Sequence, residues 1–292
     1  MRVFEFLRKG ELRPAWRYST KGVIWRVLPS AVGKLVGEER DLANKEATFF
    51  CLSQMTGEVL WEGISFGEPW WIGIDAIHRE TIFLHGFVKP DLPGHKIIIA
   101  VDLLTGNRLW RNEELRFEHA TDESVFASKD GIEGRVVFEL DCRSGGILKS
   151  WGNNEQIIKD AKLRSVELVN YDTEFPRSMD DLFREDPDVA SAIQRHCDTK
   201  TNVGPIEVID TEEMAIFNYY EVTDKSTEEM DSVLKVLDKQ RGNVIFTEIL
   251  NAGVSTFVKD SFFVQHDMLY YVKERNTLTA VRLPSQSGTQ NS

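Results

Sequence analysis

Short runs in which apolar and polar positions alternate recur along the chain and read as β-strands. Phe49–Leu52, Thr81–Phe87, Ile97–Asp102, Arg135–Asp141, Met214–Tyr220, Val233–Asp238 and Ser261–His266 are of this kind. Two of them lead into nearly the same words, Thr56-Gly57-Glu58-Val59-Leu60-Trp61 and Thr105-Gly106-Asn107-Arg108-Leu109-Trp110. Looser echoes begin at Thr20-Lys21-Gly22, with Trp25 in the aromatic place, and at Ser144-Gly145 and Arg241-Gly242. Glycine supplies the positive φ that a tight hairpin needs. A Thr or Ser before it can bond back to the local backbone.

The repeat glycines fall at 22, 57, 106, 145 and 242. The first gaps cluster near ~40 residues, the scale of a repeated supersecondary unit. The last gap is about twice as long and holds either one degenerate unit or one unit with an insertion. Met268–Lys273 and Leu278–Leu283 flank a glycine-free version of the same turn. About four strands in a ~40-residue unit fit a propeller blade. The expected fold is all-β: a β-propeller-like array of six or seven four-stranded antiparallel blades, in one domain over residues 1–284. Gly22, Trp25, Gly57, Trp61, Gly106, Trp110, Gly145 and Gly242 are its structural repeat residues.

One segment breaks the β pattern. Ser178-Met179-Asp180-Asp181 has the form of a helix start, and Asp186-Pro187 offers a second, with Asp186 as N-cap and Pro187 at the first helical position. Val189, Ala192, Ile193 and His196 recur at helical spacing. The spacing predicts a short helical insertion over 176–198. Residues 285–292, rich in Ser, Gln, Gly and Asn, read as a disordered tail.

Ala100-Val101-Asp102-Leu103-Leu104-Thr105-Gly106-Asn107-Arg108-Leu109-Trp110 resembles the repeat of quinoprotein-like β-propellers, a family of dehydrogenases and non-enzymatic outer-membrane assembly proteins. Cys51–Trp61 fits with Ser53 in place of Asp, and Glu139–Gly145 fits in its first half. The resemblance implies fold rather than activity. The family's enzymes are periplasmic, generally longer, and often stack pyrroloquinoline quinone on a ring of adjacent cysteines. This chain has no Cys-Cys pair and fewer repeats, so no cofactor is expected. It also resembles a bacterial family of similar length with decayed repeats.

Charge changes the picture in one place. The net charge is −12, and Tyr171–Asp231, with 17 acidic and 5 basic residues, accounts for all of it. Residues 1–26 carry 7 basic and 2 acidic residues. An acidic field of this kind argues against nucleic-acid binding, which needs clustered Lys and Arg. The acidic segment is either a solvated face or a docking surface for a basic protein partner, with Asp180, Asp181, Glu185 and Asp188 as its residues. No run approaches the ~20 apolar residues of a membrane span. Glu5 interrupts the N-terminal apolar run, so a secretory signal is not expected. The three cysteines, Cys51, Cys142 and Cys197, are far apart and read as reduced, and the localisation as cytoplasmic.

Reactive constellations are sparse. No two of the six histidines stand at H-x-x-x-H spacing. His85 and His266 read as structural residues of strands, His95 as part of a surface turn after Pro93-Gly94, and His119 as the best site histidine. Gly63-Ile64-Ser65-Phe66-Gly67 matches a nucleophile elbow by letter only, because no helix pattern follows. No catalytic, cofactor or metal residue is assigned. The reading leans away from catalysis, toward a binding or scaffold propeller. The alternative is a metal-assisted hydrolase or lactonase using Asp, Glu and His.

Overall fold

The computed structural model describes residues 12–89, 92–121, 124–168, 173–197, 202–224, 229–258 and 261–284. The expected tail at 285–292 lies outside them. The described strands form five antiparallel sheets of four or five strands each. This is an all-β, propeller-like set of blades with a few short helices. By its internal contacts the chain divides into two compact units, Thr20–Tyr171 and Met1–Ser19 with Asp172–Ser292.

Strand β1 (Pro14–Ser19) belongs to the second unit. The first unit contains three sheets. One is β2 (Val23–Pro29), β3 (Lys34–Asp41), β4 (Glu46–Ser53) and β5 (Val59–Ile64). The next is β6 (Ile72–His78), β7 (Thr81–Lys89), β8 (Leu92–Asp102) and β9 (Arg108–Asn112). The third is β10 (Arg116–Ala120), β11 (Ser124–Gly131), β12 (Gly134–Asp141) and β13 (Ile147–Gly152), followed by helix α1 (Gln156–Leu168). Each sheet is a meander in chain order.

The second unit begins with β14 (Thr173–Glu174), β15 (Arg177–Ser178), α2 (Met179–Glu185) and α3 (Pro187–Gln194). Then come β16 (Asn202–Asp210), β17 (Met214–Asp224), β18 (Glu229–Asp238) and β19 (Asn243–Val254), which with β15 make one sheet. The last strands are β20 (Phe262–Gln265), β21 (Met268–Lys273) and β22 (Thr277–Arg282). They form a sheet with β14 at one edge and β1 at the other, where Trp16 lies opposite Ala280.

The Gly106 and Gly145 turns are built the same way. Asp102 accepts from the backbone N–H of Leu104 and Thr105 and from the Thr105 hydroxyl at 2.8–3.1 Å, while Gly106 N–H returns to the Asp102 carbonyl at 2.9 Å. Asp141 repeats these bonds with Arg143, Ser144 and Gly145. Gly57, Gly106, Gly145 and Gly242 all have φ near +70°. A Cβ at Gly106 would lie 2.9 Å from the Trp61 ring, and one at Gly145 2.6 Å from the Trp110 ring. The same indoles donate to Leu103 O at 2.9 Å and Cys142 O at 2.8 Å. Each tryptophan therefore seats on the glycine turn of the next sheet.

The cores lie between the sheets of each unit. Phe49, Cys51 and Trp61 pack with Ile72, Ile74, Leu84 and Val101. Phe83, Ala100 and Trp110 pack with Val125, Ala127 and Leu140. In the second unit Ile216, Leu234 and Val236 pack with Phe262, Leu269 and Tyr271. Full burial of such a side chain stabilises by about 1.5–3 kcal/mol.

Several expectations are corrected. The described residues make five sheets, not six or seven blades. The long gap after Gly145 holds one sheet with α1, α2 and α3 inserted before its main strands, so spacing alone overcounted. Gly22 has no positive φ and precedes an edge strand, and Trp25 is 60% exposed. Trp61 and Trp110 stand four residues after their glycine, whereas Trp25 stands three after Gly22 and so misses the seat. His266 sits at a turn with φ +54°, not inside a strand. The helical insertion is found, with Ser178 accepting from Asp180 N–H and Asp186 accepting from Val189 N–H as N-caps. Helix α1 was not anticipated.

The tryptophan seat has a measurable consequence. Alanine at any of these glycines costs about 1–2 kcal/mol for its left-handed backbone. Nothing lies within 4 Å of a Cβ at Gly242. Gly106→Ala and Gly145→Ala should therefore lose at least about 1 kcal/mol more than Gly242→Ala, read from urea midpoints. Equal losses would show that the indoles do not rest on the turns.

Candidate metal centre

Asp75, His85 and His95 come from three adjacent strands, β6, β7 and β8, and meet on one face of their sheet. His85 and Phe87 lie two apart on β7 and share that face. Phe87 pairs with His95, and Gly73 pairs with His85, two residues before Asp75. Both flanking ladders break register here. Asp75 is an extra residue between Ile74 and Ala76, and Ile97 is an extra residue opposite the His85–Gly86 step. Were Ile97 paired opposite Gly86 in regular register, Lys96 would face Phe87 in place of His95. Bulges re-aim side chains in this way. Ile97 has φ +67°, which for a β-branched residue is a true outlier.

The contacts are close. Asp75 Oδ1 lies 2.9 Å from His85 Nδ1 and 3.0 Å from His95 Nδ1. The imidazoles stack with centroids 3.6 Å apart and planes within 8°. Phe87 stands perpendicular to both rings, with centroids 5.0 and 5.4 Å away. The side chains of Asp75 and His85 are 11% and 7% exposed, that of His95 39%. Asp75 Oδ2 is buried without a hydrogen-bond partner. Burial, followed by the neighbouring His85, holds the His95 pKa below its ordinary value. Behind the triad, Arg40 pairs with buried Glu38, donates to Trp70 O and Ile72 O, and lies 5.0 Å from the Trp70 ring centroid. Arg26 donates to Ile74 O at 2.7 Å. These bonds hold the backbone on either side of Gly73. A Cβ there would press on His85 Cε1 at 3.0 Å.

Two imidazoles and a carboxylate are the donor set of a transition-metal site, and one shared oxygen between two imidazoles is a proton-holding arrangement. The sequence reading did not find it. It placed His95 in a surface turn, whereas His95 lies inside β8 and stacks on His85. The available signal was the equal spacing of Asp75, His85 and His95 by ten residues on consecutive strands.

The other site residues lie elsewhere. Asp180, Asp181, Glu185 and Asp188 are exposed on α2 and α3. Asp181 accepts from Arg184 at 3.0 Å, Glu185 pairs with Arg177, and Asp180, Asp181 and Asp188 occupy first turns, where helix dipoles favour carboxylates. Cys51 and Cys197 are buried, and burial pushes their thiols up to about 12 and about 11. The Gly63–Gly67 segment ends β5 and leads to β6, so no elbow forms. Among the described residues no helix is long and apolar enough to cross a membrane.

A protein-family model described as "Domain of unknown function (DUF4905)" matches residues 29–110, the segment holding the triad and the Trp61 and Trp110 turns. No curated protein shows significant sequence similarity to the chain. Among solved structures it is similar to BamB from Moraxella catarrhalis, at 11% identity and TM-score 0.20, over 89% of this chain and 80% of that one. It is also similar to the Dos1 propeller, at 11% identity and TM-score 0.29, over 91% and 69%. A eukaryotic initiation factor matches at 8% identity and TM-score 0.32, over 88% of this chain and 51% of that one.

His119 supplies a test of pH dependence. Burial first, then Lys162 and His78, hold its pKa below 6.5. A depressed folded pKa favours the neutral ring, so its stabilisation is present above about pH 6.5 and lost as pH falls toward the folded value. Thermal melts should show His119→Gln losing less stability than wild type between about pH 8 and pH 5.5. Parallel curves would remove His119 as a source of acid sensitivity.

Proposed function

We propose that the protein is a non-catalytic binding or scaffold propeller whose contact surface is the outward face of the α2–α3 hairpin. The observation that carries this reading is the hairpin's two-sidedness. Met179, Leu182, Ala190 and Ile193 anchor it to Val208, Phe217, Tyr219 and Val233 of its sheet. Away from that anchor, Phe183 is 46% exposed on the helix that also carries Asp180, Asp181 and Glu185. An aromatic rimmed by carboxylates suits a partner with an apolar pocket and a basic border. The local pairing of Asp181 and Glu185 lowers the charge available but leaves Asp180 and Asp188 on the surface.

Lysine at Asp180, Asp181, Glu185 and Asp188, and separately Phe183→Ala, should each reduce partner co-purification by about tenfold, the effect of ~1.4 kcal/mol. Asn and Gln at the same acidic positions serve as fold controls, since Ser178 and Asp186 keep the caps. Undiminished recovery with both variants would reject this surface.

A second reading, a metal-assisted hydrolase or lactonase, is favoured by one observation, the meeting of Asp75, His85 and His95. A metal held by three protein ligands keeps a coordination position for water or substrate.

A further inference from the structure

We propose that Asp75, His85 and His95 bind one divalent transition-metal ion, with zinc(II) best suited to the donor set. The site is independent of the α2–α3 surface and needs no catalytic role.

The donor atoms all lie within 4.8 Å of one another. Two donors each about 2.1 Å from one ion stand about 3.0 Å apart at a right angle and about 3.4 Å apart at the tetrahedral angle. The oxygen-to-nitrogen separations of 2.9 and 3.0 Å lie at the tighter figure, so a tetrahedral zinc(II) seats once they widen by about 0.4 Å. The stacked rings must splay for both Nδ1 lone pairs to point at one ion, so metal binding opens the 3.6 Å stack. His95, the most exposed of the three, gives the route of entry.

Two costs in the structure are otherwise unexplained. Asp75 Oδ2 is buried with no partner, and a half-satisfied buried carboxylate is expensive. Ile97 carries a left-handed backbone of order 1–2 kcal/mol. Neither belongs to the blade as such. The equivalent pairs β3/β4 and β11/β12 run without a register break. The break in β7/β8 is what brings His95 beside His85. Gly73 adds the room in which His85 sits. A cation at the triad would engage the Asp75 carboxylate and give the bulge a purpose.

The test uses the untagged full chain, stripped with EDTA. Calorimetry with zinc(II) and absorption spectroscopy with cobalt(II) should show one ion per chain. Excess zinc(II) should raise the melting temperature by linkage. Asp75→Asn and His95→Ala, checked for folding by circular dichroism without metal, should each weaken binding by about tenfold or more. In the wild-type chain, zinc(II) should protect His95 from diethyl pyrocarbonate, read by mass spectrometry. A folded wild-type chain that binds no ion at about 1 mM zinc(II), a thousandfold above a micromolar Kd, would overturn the proposal. So would wild-type affinity in both variants, or full His95 modification at saturating zinc(II).

Discussion

An indole resting on a glycine is the constraint from which the first unit follows. Trp61 and Trp110 each cover a left-handed glycine of the following sheet and donate to a carbonyl beside it. The glycine is needed twice over, for its φ and because a Cβ would collide with the ring. The carbonyl bond fixes the ring's position, so successive sheets are coupled by hydrogen bonding as well as by apolar burial. The second unit solves the problem differently. Phe246 stands four residues after Gly242, in the tryptophan's place, and packs on Tyr271 with ring centroids 6.1 Å apart. Tyr271 and Lys273 then donate to Glu248 at 3.3 and 2.6 Å. A phenyl ring has no N–H to give, and a side-chain network takes over that polar role.

What was legible in the chain follows from this. The turn motif is local, so Asp102, Thr105, Gly106 and Trp110 could be read as a hairpin without knowledge of the rest. The caps at Ser178 and Asp186 are equally local. The number of sheets was not legible, because α1 and the α2–α3 hairpin lengthen one interval to twice the others. Trp25 misled because a Trp near a glycine resembles the motif even when the offset is three instead of four. In a strand, one residue of offset exchanges the two faces.

The same parity rule hid the triad. Regular alternation from the Asp102 turn backward along β8 puts Lys96, not His95, on the face that His85 occupies. Only the extra residue Ile97 reverses this, and no residue type marks it, since Ile is among the poorest choices for a positive φ. Asp75 is concealed likewise, as the extra residue of β6. The three residues are regular in number yet irregular in register.

That irregularity separates fold from function in this chain. Pairing in β3/β4 and β11/β12 shows that a blade closes its central ladder without a bulge. The β7/β8 ladder departs from this pattern at the step beside His85, whereas the β6/β7 break beside Asp75 recurs in β2/β3 and β10/β11 and belongs to the blade. Sheet stability gains nothing from the β7/β8 break, since it removes ladder hydrogen bonds and strains an isoleucine. The joint effect of the two breaks is to converge a carboxylate and two imidazoles within reach of a single point. Of the three central ladders in this unit, the one beside His85 forfeits pairing, and a buried carboxylate oxygen lies unmatched next to it, which is the cost a bound cation would offset.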